Sequence, residues 1–194
     1  MKSQPSLYVF DACSLLNLVA SRRFIDIAEG ASAKFVVVEL AANEVLYVRR
    51  GGEGADANER EPVDLRAFER DGYLSIVRLD APEEIATYVD FATEMDDGEA
   101  ASCAIAVHRN GTLVTDDRKA RRIVGERFPT TSLLTTSELI KAWADGNDLD
   151  DGVLARVLLD VEERASFRPS HRDPLHSWWA LLAYHGGGQR MRPE

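Results

Sequence analysis

Residues 95–124, MDDGEAASCAIAVHRNGTLVTDDRKARRIV, constrain the fold of this chain more than any other stretch. Glu99 opens an apolar-periodic run that is typical of a helix, and Asn110 and Gly111 end that run as a turn. Leu113 and Val114 lie between threonines and read as a short buried strand. Two aspartates follow, and a second helical run begins directly after them. The pattern predicts helix, strand and helix, with acids at the start of each helix.

The rest of the chain repeats this alternation of short apolar strands and amphipathic helices. Further strands are expected at residues 6–10, 34–38, 73–78 and 130–136, and further helices at residues 12–19, 39–49, 63–70, 82–94, 137–144, 149–163 and 173–184. Such an alternation predicts an α/β fold with three layers, α/β/α, around a central parallel sheet, plus C-terminal helices.

The chain length suits one globular domain with an appendage. We expect a domain over residues 1–147, a C-terminal helical extension over 148–185 packed on the same domain, and a disordered tail over 186–194. The glycine-rich, acidic stretch 50–62 has no periodicity and is expected to be a mobile loop.

Composition limits the classes of function and location. The net charge of -10 argues against a generic nucleic-acid binder. That argument weakens if the acids form a cluster that divalent cations neutralise and if arginines are concentrated locally. Neither a membrane-spanning apolar run nor a signal peptide is evident, and neither the cysteines nor the histidines have the spacing of a zinc site. We therefore expect a cytoplasmic protein without a membrane partner, whose two cysteines are reduced core thiols.

Several acids are placed where a parallel sheet binds ligands, at the carboxyl ends of its strands. Asp11 follows the first strand, and Asp116 and Asp117 follow the strand near Val114. Glu99 begins a helix directly after Gly98, which we interpret as a break in regular structure before the helix. Asp97 is a further candidate acid next to it. Each acid has a simpler interpretation as a helix N-cap or a partner of the helix dipole.

Glu44 lies among apolar residues of the helix predicted over 39–49. Burial without a partner would be costly, so Glu44 must face either solvent or a charged site. If these acids converge, their mutual repulsion requires a counter-ion. Oxygen-only ligands suit Mg2+ or Mn2+, and two such ions can activate water for phosphodiester hydrolysis.

Four segments together resemble the PIN-domain nucleases, whose best-known members are the VapC-type toxins. They are FDACSLLNL, the helix around Glu44, the block DDGEAASCAIAVHRNGTLVTDDRKARRI and the strand TTSLL. The resemblance covers residues 7–144 and is strongest with the branch that carries a GEA…DDR signature. It implies Mg2+- or Mn2+-dependent cleavage of single-stranded RNA that leaves a 5′-phosphate and a 3′-hydroxyl.

The resemblance also implies roles for individual residues. The catalytic set is Asp11, Glu44, Glu99 and Asp117, and the metal ligands are Asp11, Glu99, Asp116 and Asp117. Thr115 matches the hydroxyl residue ahead of the last acid. We add Ser14, Arg118 and Arg122 to Thr115 as substrate-binding residues, since either arginine could hold a substrate phosphate.

The expected partners are single-stranded RNA, a small antitoxin protein and a second copy of the chain. The alternative is a catalytically silent PIN-like module that binds protein or RNA. A phosphoacceptor receiver domain also gathers acids at strand ends, but it requires an acidic pair after the first strand, where Asp11 stands alone.

Overall fold

A computed structural model describes residues 6–52 and 54–185 of the chain. The strands in these residues are β1 (Ser6–Phe10), β2 (Ala33–Val38), β3 (Tyr47–Arg49), β4 (Arg60–Pro62), β5 (Ser75–Val77), β6 (Thr112–Val114) and β7 (Ser132–Leu134). Five of them form one parallel sheet in the order β5-β2-β1-β6-β7, while β3 and β4 pair as an antiparallel hairpin.

The helices flank this sheet. They are α1 (Ala12–Ala20), α2 (Phe24–Gly30), α3 (Glu39–Ala42), α4 (Leu65–Arg70), α5 (Pro82–Phe91), α6 (Asp97–His108), α7 (Arg118–Arg127), α8 (Thr136–Gly146), α9 (Asp151–Ala165) and α10 (His176–His185). A 3-10 turn spans Ala55–Asn58.

Alternate residues of the central strand face two separate apolar cores. Val9 packs into the core that contains Phe91 of α5 and Ile105 of α6. Phe10 points to the opposite side, into the core shared with α1, α8 and α9. Because the sheet is covered by helices on both faces, the inner parts of its strands are apolar, as residues 35–38 and 113–114 show. The predicted three-layer α/β/α arrangement around a parallel sheet is confirmed.

Helices α9 and α10 belong to the second of these cores. Leu158 and Val161 of α9 are fully buried, as is Trp179 of α10. The indole Nε1 of Trp179 donates a 2.8 Å hydrogen bond to Glu162, so the buried polar atom is satisfied. These buried side chains of α9 and α10 are thus covered by the chain itself. The tail predicted over 186–194 lies outside the described residues.

Two predicted elements are wrong. The helix expected over residues 39–49 ends at Ala42, and residues 47–49 instead form β3. The stretch expected to be a mobile loop supplies the partner strand β4, where Val48 is in register with Glu61. The apolar residues at 45, 46 and 48 look helical in isolation, and the pairing partner lies in a glycine-rich stretch with no strand pattern of its own.

Within the described residues, no helix combines the length and the apolar character that crossing a membrane would need.

The strand order creates a crevice at the centre of the sheet. From β1 the chain runs outward to β2 and β5 on one side, and it then returns to place β6 on the other side of β1. In open parallel sheets, this change of direction leaves a cleft outside the carboxyl ends of the two adjacent strands. Asp11 directly follows the last residue of β1, and Asp116 is the second residue after the end of β6.

Candidate metal centre

Asp11 lies at the floor of the crevice. Its N–H donates to the Val114 carbonyl at 3.2 Å, which keeps it beside the end of β6. Its Oδ1 accepts the Ser14 N–H at 2.6 Å and so caps α1. Only 5% of Asp11 is exposed. Burial raises its pKa to about 6, although Thr115 and Ser14 act in the opposite direction.

Glu99 approaches from the first turn of α6. This helix is anchored on the central strand, because the Ser102 hydroxyl donates to the Phe10 carbonyl at 3.1 Å. Burial raises the pKa of Glu99 to about 7, and the negative charges of Asp96, Asp117, Asp11 and Glu44 add to the effect. Glu99 is therefore close enough to acids on both sides of the crevice for their charges to raise its pKa.

Glu44 lies in the turn that ends α3, where its N–H donates to the Ala41 carbonyl. Its carboxylate packs against Gly98 of α6, and a Cβ at position 98 would lie 2.3 Å from Glu44 Oε1. Partial burial and the neighbouring Asp96 and Asp97 raise the pKa of Glu44. Gly98 is thus no chain break. It is a helical residue whose missing side chain makes room for the Glu44 carboxylate.

Asp117 closes the other side of the crevice and caps α7. Its Oδ1 accepts the Ala120 N–H at 2.7 Å, and its own N–H donates to the Thr115 hydroxyl at 3.1 Å. We call Asp11, Glu44, Glu99 and Asp117 the acidic cluster. Its members come from four separate stretches of the chain.

Asp116 is bound differently from these four. Its Oδ1 accepts the Thr136 N–H at 2.9 Å, and its Oδ2 accepts from Asn17 at 3.1 Å, from Ser14 at 3.3 Å and from the Thr136 hydroxyl. Burial nonetheless raises the pKa of Asp116. With so many donors on its oxygens, Asp116 is better suited to fixing the end of β6 against α1 and α8 than to ligating a cation directly.

The four residues expected to bind substrate have different surroundings. Ser14 and Thr115 are 0% and 1% exposed, and their hydroxyls contact the carboxylates beneath the site instead of facing solvent. Arg118 lines a cavity of about 620 Å³ next to Asp117. Arg122 lies one turn further along α7, where it pairs with Glu126 at 3.0 Å.

Sequence reasoning overlooked two contributors to this site. Asp96, and not its neighbour, caps α6 by accepting the Glu99 N–H at 2.8 Å, whereas Asp97 is exposed and accepts from Tyr88. Thr136 supplies two of the hydrogen bonds to Asp116. The sequence position of Thr136 could have indicated this role, because Thr136 follows β7, which pairs with β6. Cys13, expected to be a core thiol, is exposed, whereas Cys103 is buried as expected.

The chemistry of the acidic cluster fits a hard divalent cation. All its donors are carboxylate oxygens, which Mg2+ and Mn2+ prefer. The raised pKa values of Asp11 and Glu99 come first from burial, which disfavours their charged forms, and a bound cation would offset that cost. Among the described residues, no three acidic, histidine or cysteine side chains form a ready-made ligand group. Binding of a cation would therefore require side chains of the acidic cluster to move closer together.

No protein-family model matches this sequence, and no curated protein is significantly similar to it. The fold and the geometry of the acidic cluster are accordingly the basis for inferring function.

Proposed function

We propose that this protein is a Mg2+- or Mn2+-dependent endoribonuclease of the PIN-domain type, which cleaves single-stranded RNA. One observation carries the proposal: carboxylates from four separate stretches converge at the crevice between β1 and β6. Burial of these charges, together with the repulsion among them, would lower stability unless a cation binds. Cleavage of phosphodiesters is a reaction for which proteins commonly use divalent cations held by carboxylates. The resemblance of residues 7–144 to the PIN-domain nucleases, which is most specific over residues 99–122, supports the same reaction.

Each residue of the acidic cluster would have a definite part. When bound, divalent cations supply an activated water and stabilise the leaving oxygen. Asp11 would hold a cation from the floor, since the Ser14 N–H fixes the orientation of its carboxylate. Glu44 and Glu99 would hold it from the α6 side, and Asp117 from the α7 side. Arg118, at the first residue of α7, is placed to bind a substrate phosphate.

The decisive test is cleavage of a labelled single-stranded RNA with Mn2+ or Mg2+, and with EDTA as the metal-free condition. We expect metal-dependent cleavage by the wild type and none by Asp11→Asn. The matched control is Asp64→Asn, because Asp64 also caps a helix but is exposed and is not a member of the acidic cluster. Equal cleavage by the wild type and Asp11→Asn would refute the proposal. RNA binding without metal-dependent cleavage would support the catalytically silent module instead.

We further propose that the enzyme is the toxin of a toxin–antitoxin pair. This finer proposal rests on the resemblance to the VapC-type toxins, whose small partner covers the acids. Expression of the wild type should arrest bacterial growth, and expression of Asp11→Asn should not. A short neighbouring reading frame should encode a protein that restores growth. If expression of the wild type does not affect growth, the toxin proposal is refuted, and the protein would be a ribonuclease with another role.

A further inference from the structure

Most basic side chains of this acidic protein are paired with carboxylates, and the exceptions are concentrated near the acidic cluster. Within residues 6–52 and 54–185, the basic residues without an ion pair to another described residue are Lys34, Arg49, Arg60, Arg118, Lys119 and Arg172. All of them except Lys34 line one of two cavities. An unpaired arginine retains its full capacity to bind an anion.

The first cavity has a volume of about 620 Å³ and adjoins the α7 side of the acidic cluster. Asp117 and Arg118 lie on one of its walls. The segment between α9 and α10 forms the opposite wall and contributes Arg172. The exposed guanidinium of Arg172 therefore faces the same space as Arg118.

The second cavity has a volume of about 650 Å³ and adjoins the α3 side of the acidic cluster, where Glu44 lines it. Arg49 and Arg60 project into it from the β3–β4 hairpin. The guanidinium of Arg60 lies 4.1 Å from the centre of the Tyr47 ring, which fixes its position without neutralising its charge.

The two cavities are adjacent. Residues 164–166 line the second cavity, and residues 167–170 line the first, so one continuous segment forms part of both. The acidic cluster borders both cavities, because Asp117 lines the first and Glu44 lines the second. Unpaired arginines thus lie on both sides of the carboxylates.

We propose that the two cavities form one groove for a single RNA strand, which crosses the acidic cluster. Arg118 and Arg172 bind phosphates on one side of the cleaved bond, and Arg49 and Arg60 bind phosphates on the other. This inference rests on the proposed ribonuclease function and assigns its substrate path. The carboxylates repel phosphates, so a strand needs cationic contacts on both flanks to remain in the site. Guanidinium groups provide them through paired hydrogen bonds.

The test measures binding of a fluorescently labelled single-stranded RNA to the non-cleaving Asp11→Asn protein in Mg2+, over a range of salt concentrations. Arg60→Gln and Arg172→Gln each remove one charge from one cavity. Lys34→Gln is the matched control. Lys34 is also exposed and without an ion pair, but it lies near the amino end of β2, whereas the acidic cluster lies at the carboxyl ends of the strands. We expect each arginine variant to weaken binding about tenfold, the effect of losing one charge-assisted contact. Each should also reduce the slope of log affinity against log salt by about 0.7.

RNA length provides a second readout. Shortening the RNA from one end should abolish the effect of one arginine variant and preserve the effect of the other, since each contacts a different flank. The inference is refuted if both variants bind as Lys34→Gln does, or if all three weaken binding equally. Cleavage assays distinguish failure of the groove from failure of the ribonuclease function. If cleavage is metal-dependent and KM is unchanged in both arginine variants, the groove is refuted and the ribonuclease function stands. If the wild type does not cleave RNA and Asp11→Asn does not bind it, both proposals are refuted.

Discussion

Replacing Asp11 by asparagine should stabilise the metal-free protein while it abolishes cleavage. The Asp11 pKa rises from 3.8 to about 6 on folding, chiefly through burial. A carboxyl with a raised pKa contributes stability that is fully present below about pH 4 and is lost as the pH rises through 6. At 1.36 kcal/mol per pKa unit, the loss approaches about 3 kcal/mol at pH 8. Asparagine stays neutral over this range and caps helices as well as aspartate does, so α1 keeps its cap.

The measurement is thermal or urea unfolding in EDTA at several pH values between 4 and 8. The stabilisation of Asp11→Asn should be small at pH 4 and should reach about 3 kcal/mol at pH 8, or roughly 6–12 °C in Tm for a chain of this size. Asp64→Asn should differ from the wild type by less than about 0.5 kcal/mol at both extremes, because its carboxylate is exposed. A destabilised Asp11→Asn protein, or a gain that does not depend on pH, would show that the Asp11 charge is not the source of strain.

Addition of Mn2+ should reverse the order of stabilities. A cation that binds only the folded wild type stabilises it by about 4.1 kcal/mol at a thousand times its Kd, which exceeds the advantage of Asp11→Asn in EDTA. Asp11→Asn should gain little, because the ligand from the floor of the site has been replaced by an amide. An equal Mn2+ response in both proteins would place the cation elsewhere and would contradict the assignment of Asp11 as a ligand.

Three further predictions concern the surroundings of the site. Gly98→Ala should displace the Glu44 carboxylate and so weaken Mn2+ binding, which titration calorimetry measures. The free energy of unfolding should change by less than about 1 kcal/mol, because alanine favours the helix. Apparent Mn2+ affinity should fall steadily as the pH is lowered through 7, since the Glu99 pKa is about 7 and a protonated carboxyl ligates poorly; a flat pH profile would contradict its role. Arg109→Gln should destabilise the protein by about 3 kcal/mol in urea unfolding at pH 7, because it leaves the buried Glu84 carboxylate without its 2.7 Å partner; a loss below about 1 kcal/mol would contradict this.

The parallel sheet could be predicted because its signals are local. A strand covered by helices on both faces must be apolar at every position, and residues 35–38 and 113–114 have that pattern. The β3–β4 hairpin could not be predicted, since its strands are short and exposed at most positions. Their pairing depends on backbone hydrogen bonds such as that from Arg50 to the Glu59 carbonyl, which leave no trace in the side-chain pattern.

The acidic residues could be found in the sequence, but their spatial relations could not. The sequence places Asp11 and Asp117 at strand ends, and strand order then brings them to one crevice. Glu44 could not be located in this way, because its position depends on the close approach of α3 to α6 at a glycine. The absence of a Cβ at Gly98 permits that contact. A glycine beside acids in a predicted helix is therefore better interpreted as a point where another element packs closely than as an interruption of the helix.

The two interpretations that the sequence left open, helix cap and functional acid, are compatible in this structure. A capping aspartate uses one oxygen to accept a backbone N–H, as Asp11 does from Ser14 and Asp117 does from Ala120. The cap holds the carboxylate at the start of the helix and leaves the second oxygen outside the capping hydrogen bond. In a parallel α/β sheet the helix begins where the strand ends, so an aspartate that caps the helix stands beside the crevice. Capping thus pre-organises the acids without extra side chains, and it explains why an asparagine at position 11 should preserve the helix while removing the charge that the proposed chemistry requires.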